Sequence, residues 1–176
     1  MGPAPPPQRS GMPGWLVGVL VAVGLLVVML GVMGILAWYG VRKYIAASKT
    51  AEALNGVGMI ARDAESSYAA NGTLCKSATS PVPASMIAVA GHKYMSNPSE
   101  WTRDPADTGF TCIGFEMSSP QYYQYDYERT GPDSFVAYAR GDLDGNGVTS
   151  EFSERGDVVS GTVVVDPSVK QTNPNE

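Results

Sequence analysis

Residues 16–37, LVGVLVAVGLLVVMLGVMGILA, carry no charged or hydrogen-bonding side chain. At a rise of about 1.5 Å per residue the run makes about 33 Å of helix, enough to cross a hydrocarbon layer of about 30 Å. It predicts a transmembrane helix over residues 15–39. A core helix in so small a protein would not be apolar all round, and a secretory signal has a shorter apolar region that ends in a small-residue cleavage site. The following ILAWYGVRKY offers no such site. Trp15 at one end and Trp38, Tyr39 and Tyr44 at the other suit the membrane interface, where an aromatic body sits in lipid with its polar tip in water.

Beyond the span the pattern changes period. Leu54, Val57, Ala61, Ala64 and Tyr68 recur three or four apart, which is one face of a helix, so residues 40–70 read as the soluble continuation of the same helix. Lys49, Glu52, Arg62 and Glu65 fall on its wetter side. Gly56 and Gly58 weaken it by about 1 kcal/mol each, and Asn71-Gly72 ends it. Residues 71–109 hold four prolines and read as a connecting region. Two-residue alternation then predicts an antiparallel meander within residues 110–166: FTCIGFEM (110–117), QYYQYDYER (121–129, with Tyr123, Tyr125 and Tyr127 on one face) and SFVAYAR (134–140). A fourth strand is expected over DVVSGTVVVD (157–166), bent at Ser160-Gly161, and residues 167–176 read as a polar tail. The proline- and glycine-rich residues 1–14 form a flexible leader. The expected class is α+β, a long N-terminal helix packed on a small antiparallel sheet.

Charge and cysteine usage narrow the setting. The 176-residue chain carries a net charge of −5, which argues against a nucleic-acid partner and leaves the lipid bilayer as the first one. Arg9 flanks one end of the span, and Arg42, Lys43 and Lys49 flank the other. By the positive-inside rule alone, the C-terminal domain would be cytoplasmic. The two cysteines point the other way: Cys75 and Cys112 lie in the polar part, outside any CxxC or Cys/His cluster, and read as a disulfide formed in an oxidising compartment.

Candidate chemistry is sparse. The single histidine, His92, lies in the proline-bordered loop with no triad, metal cluster or phosphate loop around it, so no enzymatic activity is expected. The tyrosine alternation fits a half-buried strand better than a sugar-binding face or an aromatic electron path. The NGT sequon at Asn71 already serves as a helix stop, and Gly14, Gly18 and Ala22 make a weak small-residue row for helix packing in lipid. No cofactor is expected; Ca²⁺ is the one candidate. In GDLDGNGVTSEF, Asp142, Asp144, Asn146, the carbonyl of Val148 and Ser150 would fill the first five ligand places of a helix-loop-helix calcium site. The bidentate glutamate that belongs at the twelfth place is missing, since Ser153 stands there. A tight turn is therefore favoured, with a weaker site drawing on Glu151 or Asp157 left open.

Over residues 34–165 the chain resembles type IV pilin-like and pseudopilin-like proteins of the delta-proteobacterial or myxobacterial type. The resemblance is carried by GILAWYGVRKYIAASKTAEALNGVGMIARDAESSYAANGT, by Trp101, by CIGFEMSSPQYYQYDY from Cys112 and by GDLDGNGVTSEF from Gly141. It implies a structural protein of the bacterial inner membrane, single-pass, with its C-terminal domain periplasmic or extracellular. Such a protein would be a minor or specialised component of a type IV pilus or a type II secretion pseudopilus, partnered by other subunits of that system. The N-terminus departs from the family pattern: no Phe-Thr-Leu-Ile-Glu follows Gly11 or Gly14, and no acidic residue occurs before Glu52. The leader is therefore expected to stay uncut. The alternative is a membrane-tethered periplasmic binding domain that does not polymerise.

Overall fold

The computed structural model describes residues 2 and 13–174, with the backbone alone at residues 42, 43 and 45–47. The rest of the expected leader, Arg9 included, and the last two residues lie outside the described residues, as do the side chains of Arg42 and Lys43. One helix, α1 (Gly14–Asn71), runs through two compact units, Met1–Tyr44 and Ile45–Glu176.

In the first unit, Gly14–Val41 is long and apolar enough to cross a membrane, and none of its most apolar stretch is buried in protein. No proline interrupts it. Its valines, leucines and methionines point outward on every side, as expected of a helix whose solvent is lipid.

In the second unit the buried line of α1 is Ala53, Val57, Ile60, Ala64 and Ser67, with Ala61 beside it. Val57, Ala61 and Ala64 are where the apolar spacing puts them, whereas Leu54 and Tyr68 are half-buried at the margins. The face is rotated because Gly56 is itself buried: a Cβ there would lie 2.2 Å from Tyr125 Cε1, so the missing side chain lets the helix settle onto that ring. Gly56 is thus a packing residue and not merely a weak point of the helix. The helix ends at Gly72, whose φ of +70° and N–H bond to the Tyr68 carbonyl at 2.7 Å make a left-handed stop.

The helix lies against an antiparallel sheet of five strands: β1 (Gln124–Gly131), β2 (Ser134–Gly141), β3 (Ser150–Val159), β4 (Thr162–Val165) and β5 (Lys170–Thr172). The order is β1-β2-β3-β4, with β5 also beside β3. On β2 the pleat buries Phe135, Ala137 and Ala139, and their neighbours Tyr125, Tyr127 and Phe152 complete the inner face. Tyr123, Tyr125 and Tyr127 are all fully buried there.

Three expectations change. Residues 110–117 do not open the sheet; the short helix α3 (Gly109–Ile113) forms instead and ends at Gly114 with φ +76°. Helical spacing lets Phe110 and Ile113 both go inward, which a strand's alternation would forbid. The segment expected to bend at Ser160-Gly161 is a hairpin whose two turn residues have φ of 54° and 80°, and its first strand starts seven residues earlier than expected, at Ser150 rather than Asp157. The inward row Phe152, Glu154, Gly156 hides that strand, since only one of the three is apolar and large. Gly156 is empty because the Phe135 ring fills its place, 2.4 Å from where a Cβ would be. Finally, the polar tail contributes β5, whose residues are all exposed and so carry no hydrophobic signal.

The connecting region is ordered by backbone bonds and one aromatic cluster. A 3-10 turn spans Met86–Val89, and the short helix α2 (Pro98–Trp101) starts with a capping box between Asn97 and Glu100. Trp101 meets Phe110 at 5.0 Å and Phe115 at 5.3 Å, both edge-on.

Candidate functional site

Cys75 and Cys112 form a disulfide across 37 residues, with their Cα atoms 5.9 Å apart. Cys75 follows the stop at Gly72; Cys112 sits on α3, not on a strand. The bond joins the end of α1 to the far end of the connecting region. The Ser67 hydroxyl donates to the Cys112 carbonyl at 3.2 Å and lies 3.2 Å from Cys75 Sγ.

An open cleft of about 450 Å³ adjoins the disulfide, lined among others by Asn71, Thr73, Lys76, Asp107 and Arg129. Arg129 is held in place by three backbone carbonyls: Leu74 at 3.2 Å, Gly131 at 2.9 Å and Pro132 at 2.6 Å. Lys76 pairs with Asp107, and that bond holds the exposed Asp107 carboxyl below its usual range. These groups supply fixed charge and hydrogen bonds. The pattern of apolar positions gives no hint of them, because each is a single polar residue: Lys76 and Asp107 lie in irregular segments and Arg129 lies near the end of β1.

The loop between β2 and β3 is a cage closed on itself. Asp142 is buried, and its carboxylate accepts the N–H groups of Gly145 at 2.8 Å, Asn146 at 3.1 Å and Gly147 at 3.0 Å. Asp144 accepts from the Asn146 N–H and side-chain amide, and Asn146 accepts from the Val148 N–H at 2.6 Å. Gly145 and Gly147, at φ of 75° and 89°, allow the chain to fold around these side chains. Ser150 is buried in β3 and donates to the Gly141 carbonyl at 3.0 Å; Glu151 accepts from Arg140 at 2.8 Å. The structure thus brings Asp142, Asp144 and Asn146 together with the loop backbone and commits Ser150 and Glu151 to the sheet. Among the described residues no three His, Cys, Asp or Glu side chains gather as a metal-holding group.

Trp15, Trp38, Tyr39 and Tyr44, the aromatics expected at a membrane interface, are all exposed. His92 is exposed too, with its Nδ1 donating to the Ala90 carbonyl at 2.6 Å. The tyrosine row is core: burial pushes the Tyr123 and Tyr127 hydroxyls up to about 12. Of the charged residues expected on the wetter side of α1, Arg62 and Glu65 are exposed but Lys49 and Glu52 are not. Glu52 is half-buried, and its carboxylate accepts the Tyr122 N–H at 2.6 Å while burial raises its pKa. Lys49 and Lys93 each set their ammonium over the Tyr122 ring, at 4.6 and 4.7 Å from its centre.

No family model, curated protein or solved structure matches the chain.

Proposed function

We propose that the chain is a membrane-anchored structural protein of the pilin-like kind, a minor or specialised subunit of a type IV pilus or a secretion pseudopilus. One observation carries the reading: a single helix, Gly14–Asn71, is apolar on every side in its first half and one-sided in its second, where it forms the spine of a small antiparallel domain. A helix of that kind joins a lipid anchor to a folded domain without a flexible linker sequence. The disulfide supports placing that domain in an oxidising compartment, periplasmic or extracellular. Bacterial inner membrane is the site this implies, and other subunits of the same system are the partners.

A second reading, a tethered binding domain that does not polymerise, is favoured by the lack of any acidic residue before Glu52. An anchor without a carboxylate has nothing in the lipid layer to neutralise a neighbouring subunit's amino group. In this reading the cleft at Arg129 or the Asp142 loop, with Ca²⁺ as its candidate ion, would be the binding element. Mechanical shearing of cells that make the protein separates the two. A subunit travels with the sheared filaments; a tethered domain stays in the carbonate-washed membrane pellet at the intact mass. Recovery in the soluble fraction would sink both.

A further inference from the structure

The two edges of the sheet are treated differently. Along β1 the backbone groups that point away from β2 are taken up by the connecting region: Val82 exchanges bonds with Tyr125 at 2.8 and 2.9 Å, and the Ala78 N–H donates to the Tyr127 carbonyl at 2.8 Å. The Arg129 N–H donates to Ser77 Oγ at 2.9 Å. That edge is closed.

Along β4 nothing comparable exists among the described residues. The Asp166 N–H donates to the Arg155 carbonyl at 2.8 Å, which fixes the phase of the ladder. With Asp157 opposite Val164 and Val159 opposite Thr162, residues 162, 164 and 166 turn their backbone groups toward β3. Val163 and Val165 therefore turn their N–H and C=O groups outward, past the last strand of the sheet. An open edge is normally blunted by a charge, a proline or a bulge. The neighbouring β5 has Lys170, but β4 is Thr-Val-Val-Val, and Val164 is 54% exposed on the outer face.

We propose that β4 pairs with β4 of a second copy of this chain, antiparallel about a twofold axis through Val164. In that register Val163 and Val165 of one copy face Val165 and Val163 of the other, and each facing pair exchanges both of its free hydrogen bonds. Val164 meets its own counterpart across the axis, covering the exposed valine. Thr162 lies opposite Asp166, a hydroxyl against a carboxylate. Neighbouring registers are worse. An axis through Asp166 sets two carboxylates face to face, and one through Val165 places Val163 opposite Pro167, which has no N–H to give. The strand is thus self-complementary in this alignment, which is what a twofold contact requires. This contact goes beyond the anchoring reading and does not rest on it, since β4 belongs wholly to the Ile45–Glu176 unit.

The test uses the full chain in detergent micelles. Opposed Cα atoms at a non-hydrogen-bonded antiparallel position are about 4.5 Å apart, within disulfide reach. Val164→Cys should therefore cross-link to a covalent dimer on mild oxidation, whereas Ile87→Cys, at a site 79% exposed on the 3-10 turn, should not. Val164→Lys, which sets two ammonium groups face to face, should weaken self-association by about tenfold or more, read by light scattering across a dilution series. A wild-type chain that stays monomeric at high concentration, equal cross-linking at the two cysteine sites, or a dimer indifferent to Val164→Lys would each overturn the proposal. Loss of membrane partitioning with cross-linking intact would instead count against the anchor alone.

Discussion

The two halves of α1 use the same residue types to opposite ends. In the first half, Gly18, Gly24, Gly31 and Gly34 have open space where a Cβ would stand. In the second, Gly56 is filled by the Tyr125 ring and Gly58 faces the Glu154 carboxylate at 3.5 Å. Valine behaves likewise: Val27 is 62% exposed, and Val57 is completely buried. A given residue type has the same helix propensity in either half, so the difference lies in which neighbours each side chain is given. A glycine or valine in such a helix takes its role from the pattern around it.

Substitutions at matched positions should break that symmetry. Val57→Asp puts an unpaired charge in the core and should cost about 4 kcal/mol of unfolding free energy in the Ile45–Glu176 unit. Val27→Asp should leave the melting of that unit unchanged and reduce membrane insertion instead. Equal melting of the two variants would show that the buried face is wrongly drawn.

Opening the disulfide is expected to cost about as much. Replacing Cys75 and Cys112 together by serine releases a closed loop of 37 residues and should cost about 4 kcal/mol on the chain-entropy estimate. Calorimetry with and without reductant reads the same difference on the unaltered chain.

Gly56→Ala is smaller and carries more information. Alanine is the better helix former by about 1 kcal/mol, yet its Cβ would collide with Tyr125, so the net effect should be a loss of about 2 kcal/mol. Gly24→Ala, with open space around it, should show no such loss, and a stabilised Gly56→Ala would mean that the helix does not rest on that ring.

The smallest expected effect is on acid titration. Burial raises the carboxyl pKa values of Glu52, Asp63, Asp126 and Glu154 above their ordinary values of 4.5 and 3.8. The folded chain therefore binds more protons than the unfolded one just above those values, and stability falls as pH rises through that window. Exposed Asp107 and Asp157 are shifted the other way by Lys76 and Arg155, but in water such pairs count for little. Glu154, with one oxygen buried and unpartnered against the helix, gives the cleanest probe. Glu154→Gln should raise the melting temperature slightly at about pH 7, with the gain gone below about pH 4. A gain that persists there would assign the effect to something other than its charge.

The first half of α1 is legible from its unbroken apolar composition, and the second half of α1, the tyrosine strand and β2 are legible because their buried positions are mostly apolar and regularly spaced. Where packing is achieved by a missing side chain, periodicity fails: Gly56 reads as a weak point, and Gly156 helps hide β3. The stretch around Cys112 alternates enough to pass for a strand, but its burial depends on the Trp101 cluster, brought in from a distant loop. The Asp142 loop is legible as a turn because its spacing of Asp, Asn and Gly is local chemistry. The Glu52 contact and the reach of Arg129 to Leu74 are not, since the partners are backbone groups of remote segments.

The position of the disulfide gives the chain an unusual tolerance of cutting. Nearly all of the irregular connecting region lies between its two cysteines, including exposed Ile87 and Met95. A protease that severs any one peptide bond there leaves both pieces covalently joined, one holding α1 and the other the whole sheet. On a gel without reductant the nicked protein would run near its full mass; with reductant it would fall into two bands. If the domain lies in an oxidising compartment, as proposed, a loop broken there would leave the anchor-bearing helix and the sheet tied together.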